Sequence, residues 1–189
     1  MMKSLLVALR SSIVLMLICG LFYPLLTTGI AQVIFPHQAQ GSIVEKDGKA
    51  VGSELLAQEF TSQGLFHPRL SAASYDPTAS AATNIAVASE DYIKGIQEAA
   101  KTASKENAAL SGNIPADLLT TSASGFDPHL SPEAAKAQIP RIAKATGMST
   151  QALAALVDEH TEGRQLGIFG EPRVNVLHLN IALQKQGKQ

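Results

Sequence analysis

The chain has 189 residues with a formal net charge of −1, from 15 basic and 16 acidic side chains. Neither half is basic enough to be built for nucleic acid or for an anionic surface. Cys19 is its one cysteine, which excludes a disulfide framework, a thiolate metal site and a cysteine nucleophile from everything after the first apolar stretch; that remainder, roughly 150 residues, is enough for one domain with its own core.

The apolar stretch comes first. Residues 11–35, SSIVLMLICGLFYPLLTTGIAQVIF, carry no Asp, Glu, Lys or Arg. At 1.5 Å rise per residue, about 20 such residues cross the ~30 Å hydrocarbon layer. A soluble core helix would show a polar face, and none is present. A cleaved signal is the rival, given basic Lys3 and Arg10 and the small-x-small triplet Gly29-Ile30-Ala31. The run is longer than a signal's apolar region, however, and Val33-Ile34-Phe35 continues it past that triplet. Cys19 follows Ile18, where a lipidation site requires a small residue. An uncleaved anchor is therefore expected. Lys3, Arg10 and the terminal amine precede it, and the first charges after it are Glu45 and Lys46, so the basic end stays inside. Residues 1–10 are expected in the cytoplasm of a bacterium, 11–35 across its inner membrane, and 36–189 in the periplasm. Gly20 and Pro24 should weaken or kink the helix. Ser12, Cys19, Gly20, Thr27 and Ala31 fall near one face, where small and hydroxyl residues let membrane helices approach closely; Gly20 and Thr27 are the contact candidates.

Residues 36–41 read as a linker. Lys46-Asp47-Gly48-Lys49 between apolar residues predicts a hairpin, because Gly tolerates the positive φ of a tight turn. Ser53 predicts a capped short helix over 54–60. Residues 66–84, rich in Ser, Ala and Pro, read as irregular. Ser89 opens a longer helix to about Asn107, with Tyr92, Ile96, Ala99, Ala100 and Ala103 on one face. A short strand is expected over 118–121, followed by a Ser-Gly loop over 122–128. Ser131-Pro132-Glu133 is a helix start, Pro140 should kink or divide that helix, Gly147 should end it, and Ser149 should start the next, to about His160. Over 174–184, Leu177, Leu179, Ile181 and Leu183 alternate with His178, Asn180, Ala182 and Gln184, which predicts a half-buried strand. The expected fold is mixed α/β: one N-terminal transmembrane helix and a single extracytoplasmic α/β domain with a small sheet and three to four helices.

Ligand-type residues gather at Asp127-Pro128-His129 and at 158–162, DEHTE. Neither has the H-E-x-x-H spacing that puts two zinc ligands on one helix face, and helix-end charge and loop capping explain them. Residues 122–125, SASG, are not a nucleophile elbow, and no Ser stands at the S-x-x-K spacing. Gly163, Gly167 and Gly170 resemble a phosphate-cradling loop but lack its G-K-[ST] ending; tight turns account for them. Glu162, Arg164, Glu171 and Arg173 alternate in sign around these glycines, which points to a rigid loop presenting fixed charges to a partner. No metal and no independently bound cofactor are expected. A membrane-tethered periplasmic hydrolase and a nucleotide-binding regulator are the rival classes.

Two long runs carry a family resemblance: residues 114–147, IPADLLTTSASGFDPHLSPEAAKAQIPRIAKATG, and residues 160–183, HTEGRQLGIFGEPRVNVLHLNIAL. In this order, behind such an anchor, they resemble the C subunit of the Kdp potassium-transporting ATPases. The resemblance implies a non-catalytic subunit needed for assembly. Its partners would be a channel-like potassium-translocating subunit, an ATP-hydrolysing P-type subunit and a small one-span subunit. It also implies that the subunit raises the ATP affinity of the hydrolysing partner as a catalytic chaperone, with ATP met only within the complex. The contact candidates outside the anchor are Ser124, Gly125, Asp127, His129, His160, Glu162, Arg164, Glu171 and Arg173. The chain departs from the family where a G-R-P-S-A element reads His67-Pro68-Arg69-Leu70-Ser71-Ala72, and where a glycine-rich stretch reads SAATNIAVAS over 80–89.

Overall fold

The computed structural model describes residues 2–107, 110 and 112–187; Met1, whose amine entered the charge argument, lies outside them. Two compact units divide the chain, Met1–Val51 and Gly52–Gln189.

In the first unit, helix α1 (Met2–Leu17) passes through a π-helical turn, Ile18–Phe22, into α2 (Tyr23–Ile34). Pro24 has no N–H for the carbonyl four residues back, and its ring would strike that carbonyl. The turn ahead of it widens instead, and the Tyr23 N–H donates to Ile18 O. Together these helices are long and apolar enough to cross a membrane, and almost all of their apolar side chains are exposed. The expected linker forms one helical turn, α3 (Pro36–Ala39). Strands β1 (Ile43–Lys46) and β2 (Lys49–Ser53) then pair. Their turn has positive φ at both Asp47 (53°) and Gly48 (72°), the signature of the hairpin turn whose twist suits paired strands.

The second unit is built around a three-stranded antiparallel sheet in the order β3-β5-β4: β3 (His129–Leu130), β5 (Arg173–Asn175) and β4 (Thr161–Glu162). Leu130 stands opposite Val174, and Glu162 opposite Arg173. Helix α4 (Glu90–Glu106) is capped by Ser89, whose side chain accepts from Tyr92 N. Helix α5 (Pro132–Ala137) is capped by Ser131. As Pro140 predicts, the chain breaks at Gln138 before α6 (Ile139–Thr146), which ends on Gly147 at φ +76°. Ser149 caps α7 (Thr150–Glu159). The core joins these elements through Leu130, Ala134, Ile142, Leu153, Val157 and Val174.

Three sequence expectations fail. The strand expected over 174–184 is only β5; the rest is helix α8 (Val176–Gln186). The Asn175 side chain accepts from Leu177 N and His178 N and so starts the helix. Val176, Leu177, Leu179, Asn180 and Leu183 are its buried residues, a helical spacing hidden because Asn180 faces inward. The helix expected over 54–60 is a turn: Ser53 Oγ accepts from Leu55 N at 3.1 Å, but Ala57 N goes to Phe126 O at 2.9 Å instead of continuing a helix. Residues 118–121 do not form a strand either. A 3₁₀ turn (Ala116–Leu118) occupies their start, and Thr121 makes a single parallel bridge to Leu70. The mixed α/β class stands, but five helices follow the hairpin among the described residues where three to four were expected, because the chain breaks ahead of Pro140 and residues 176–186 add a helix.

The irregular segment 62–67 is held by side chains in place of a strand partner. The Asn180 amide accepts from Phe66 N (2.8 Å) and donates to Phe66 O (2.9 Å). Gln138 does the same for His67, at 2.8 and 3.0 Å. Arg141 donates to Gln63 O (2.7 Å), Leu65 O (3.0 Å) and Asn107 Oδ1 (3.0 Å). Every buried backbone group needs a partner, and here amides and a guanidinium supply it.

Candidate functional site

The candidate residues fall in three places. In the first unit, Gly20 lies within the π turn. The Thr27 hydroxyl donates to Tyr23 O (2.9 Å) and to Pro24 O (3.1 Å), so it is engaged with its own helix.

The second place is the loop before β3. Gly125 is buried at φ +83°. Ser122 Oγ accepts from Gly125 N at 3.0 Å, and Ser71 Oγ donates to Gly125 O. Ser124 O accepts from Ala81 N (3.1 Å) and from Ser80 Oγ (3.0 Å). A Cβ on Gly125 would come within 2.6 Å of Ala73 Cβ and 2.9 Å of Ala81 O. The loop is thus the bed on which the segment around residues 71–81 lies.

Beside it, Arg69 gathers the acidic groups. Its Nη1 donates to Asp127 Oδ2 at 3.2 Å, its Nη2 to Thr120 Oγ1 at 3.3 Å, and its Nε stands 3.7 Å from Asp117 Oδ1. Asp127 Oδ1 accepts from His129 N (3.0 Å) and faces the His129 ring Nδ1 at 3.4 Å. Burial opposes ionisation of Asp127, but the hydrogen bonds from His129 and the charge and hydrogen bond of Arg69 outweigh it and hold the carboxyl below its usual range. Arg69 is not among the sequence candidates. Its one signal in the sequence is a lone Arg inside the departing 67–72 element.

The third place is the hairpin joining β4 to β5. His160 ends α7 with its ring Nδ1 2.9 Å from Leu156 O, so it serves the helix terminus. Beyond it, Arg173 Nε donates to Glu162 Oε2 at 3.0 Å, and Arg164 Nη2 reaches both oxygens of Glu171 at 2.8 and 2.7 Å. The four charges expected to face a partner thus form two exposed ion pairs with one another. Between these exposed pairs the loop also exposes Leu166, Ile168 and Phe169. Gln165 and Phe169 exchange backbone hydrogen bonds at 2.9 Å in both directions, and Leu166, Gly167 and Gly170 hold positive φ.

Among the described residues, the second unit carries clefts in at least two places. One of about 440 Å³ lies between α4 and residues 59–75, with His67, Glu98 and Glu106 on its wall. Another, about 360 Å³, is lined by Glu54, His160, Glu162 and His178. Among the described residues, no three His, Cys, Asp or Glu side chains converge closely enough to hold a metal ion.

Comparison with known proteins covers almost the whole chain. The family model for the K+-transporting ATPase, c chain, matches residues 5–185. A potassium-transporting ATPase KdpC subunit from Geobacter sulfurreducens is 49% identical over 186 residues, covering 96% of this chain and 97% of that protein. The KdpC subunits of Caldanaerobacter subterraneus and Myxococcus xanthus are 45% and 46% identical, covering 96% and 98% of this chain and 94% and 90% of their own. With one family spanning both the N-terminal apolar helix and the sheet-bearing unit, the chain belongs to the family of the K+-transporting ATPase c chain.

Proposed function

We propose that the chain is a non-catalytic accessory subunit of an ATP-driven potassium importer, anchored in the bacterial inner membrane by its N-terminal helix with the second unit in the periplasm. Its partners in this reading are the channel-like potassium-translocating subunit, the ATP-hydrolysing P-type subunit and the small one-span subunit. The observation that carries it is the pairing of family membership with a 33-residue helix whose apolar stretch is nowhere buried. Such a surface is stable only against lipid or other membrane helices. The candidate residues of the second unit are held in loops fixed by hydrogen bonds and ion pairs, which suits docking.

In this reading the subunit also raises the ATP affinity of the hydrolysing partner. A domain across the membrane from the nucleotide acts by transmitted coupling, so it must bind two states of the pump unequally. Deleting residues 11–35 should abolish assembly. Co-purification of the tagged truncation with the other subunits in stoichiometric amount would contradict the proposal. The hydrolysing subunit should bind ATP more weakly without this chain than within the assembled complex, measured by equilibrium titration of each.

A further inference from the structure

We infer that the tip of the β4–β5 hairpin is a preformed apolar knob that seats in an apolar cleft of a neighbouring subunit of the same transport complex, an inference that rests on the subunit reading above. Leu166, Ile168 and Phe169 are 88%, 72% and 63% exposed. No other four-residue stretch of the second unit's described residues exposes three large apolar side chains. A concentration of this kind marks an interaction site, where single exposed apolar residues mark nothing.

The tip is held in shape before anything binds it. Gln165 and Phe169 close the turn through their backbones, Gly167 N donates to Arg164 O at 3.0 Å, and Arg164 clasps Glu171 across the base. Leu166 sits at φ +53°, a conformation unfavourable for a branched side chain, which persists only where the surroundings impose it. A knob fixed in advance loses little conformational freedom on docking.

Charge decides the occupant. Glu162 is paired with Arg173 and Glu171 with Arg164, so the hairpin offers no net positive charge to anionic lipid, the attraction that surface-inserting segments use. Three side chains offer a few hundred Å² against the ~800 Å² per partner of a stable interface. The tip alone therefore holds neither a free protein nor a second copy of this chain. It suits a partner that another contact already keeps at high local concentration, which is the position of a subunit in the same assembly.

The test places a photoreactive benzoylphenylalanine at Phe169 of the full chain, co-expressed with the transport complex in its membranes. After irradiation, an adduct between this chain and another subunit of the complex is expected. If the chain co-purifies but the adduct joins lipid, joins a second copy of this chain, or fails to form, the knob is refuted and the subunit reading survives. If the unmodified chain does not co-purify at all, the subunit reading fails and takes this inference with it. In parallel, Ile168→Asp with Phe169→Asp should weaken retention in the detergent-solubilised complex about 30-fold or more, with an unchanged unfolding temperature. Wild-type retention of that variant overturns the knob.

Discussion

Replacing Asn180 by Ala should be among the most damaging single changes outside the apolar core. Asn180 is 1% exposed and Phe66 is not exposed at all, so neither backbone group of Phe66 has water to turn to. The substitution strands a buried N–H and a buried C=O, at about 1–3 kcal/mol each. Ala is the better helix former by a few tenths of a kcal/mol, and a water entering the vacated space could recover part of the loss. A net destabilisation of about 3 kcal/mol follows. In a chain of this size, each kcal/mol moves the midpoint by about 2–4 °C, so the expected fall is about 10 °C. Thermal unfolding of the full chain in detergent micelles, followed by far-ultraviolet circular dichroism, reads it directly. Asn180→Asp sharpens the test, because it keeps an acceptor for the Phe66 N–H but sets a second acceptor against the Phe66 carbonyl. That variant should be at least as unstable at neutral pH and should recover as the pH falls and its carboxyl gains a proton to donate. A drop of less than 2 °C for Asn180→Ala would show that the segment around Phe66 is held by something other than the amide.

Gly125→Ala meets Ala73 Cβ and the backbone oxygen of Ala81 at 2.6 and 2.9 Å, and must also hold φ +83°; it should lose about 2 kcal/mol or more in the same melts, and wild-type stability would contradict the packing described. Because Asp127 is held below its usual range when folded, its contribution is complete above the unfolded carboxylate value of about 3.9 and is lost as pH falls through the folded one. Asp127→Asn should therefore flatten the acid limb of stability against pH, and superimposable acid limbs would dismiss the idea. Arg141→Lys keeps the charge but not the fork that reaches Gln63, Leu65, Asn107 and Gln138 together; a loss of about 2–3 kcal/mol by denaturant titration is expected, and a neutral result would refute it.

Local rules were legible where they act alone. Ser89, Ser131 and Ser149 each cap a helix within reach of their own hydroxyl. Gly147 ends a helix, and Asp47-Gly48 turns a hairpin. Legibility failed where a distant group decided the outcome. Asn180 falls on the polar face of a strand pattern because nothing nearby shows that Phe66, 114 positions away, needs its amide; with Asn180 interior, the spacing is that of a helix. Residues 54–60 are good helix formers, but Phe126 takes the Ala57 N–H. In the candidate site, the charges of the β4–β5 hairpin are visible in the sequence, but their pairing and the apolar tip between them come only from the fold. Arg69 joins Asp127 across 58 positions, a distance over which no motif spacing operates.

The amide grip on Phe66 also sets a schedule for synthesis. The first-made part of the domain waits, without a strand partner of its own, for an asparagine 114 positions further along, and the sheet likewise receives its middle strand only at residues 173–175. Contacts this remote in order form late, so the domain stays open until residues 173–180 have been made. A message cut short before Asn180 yields a polypeptide with its anchor complete and its fold unclosed.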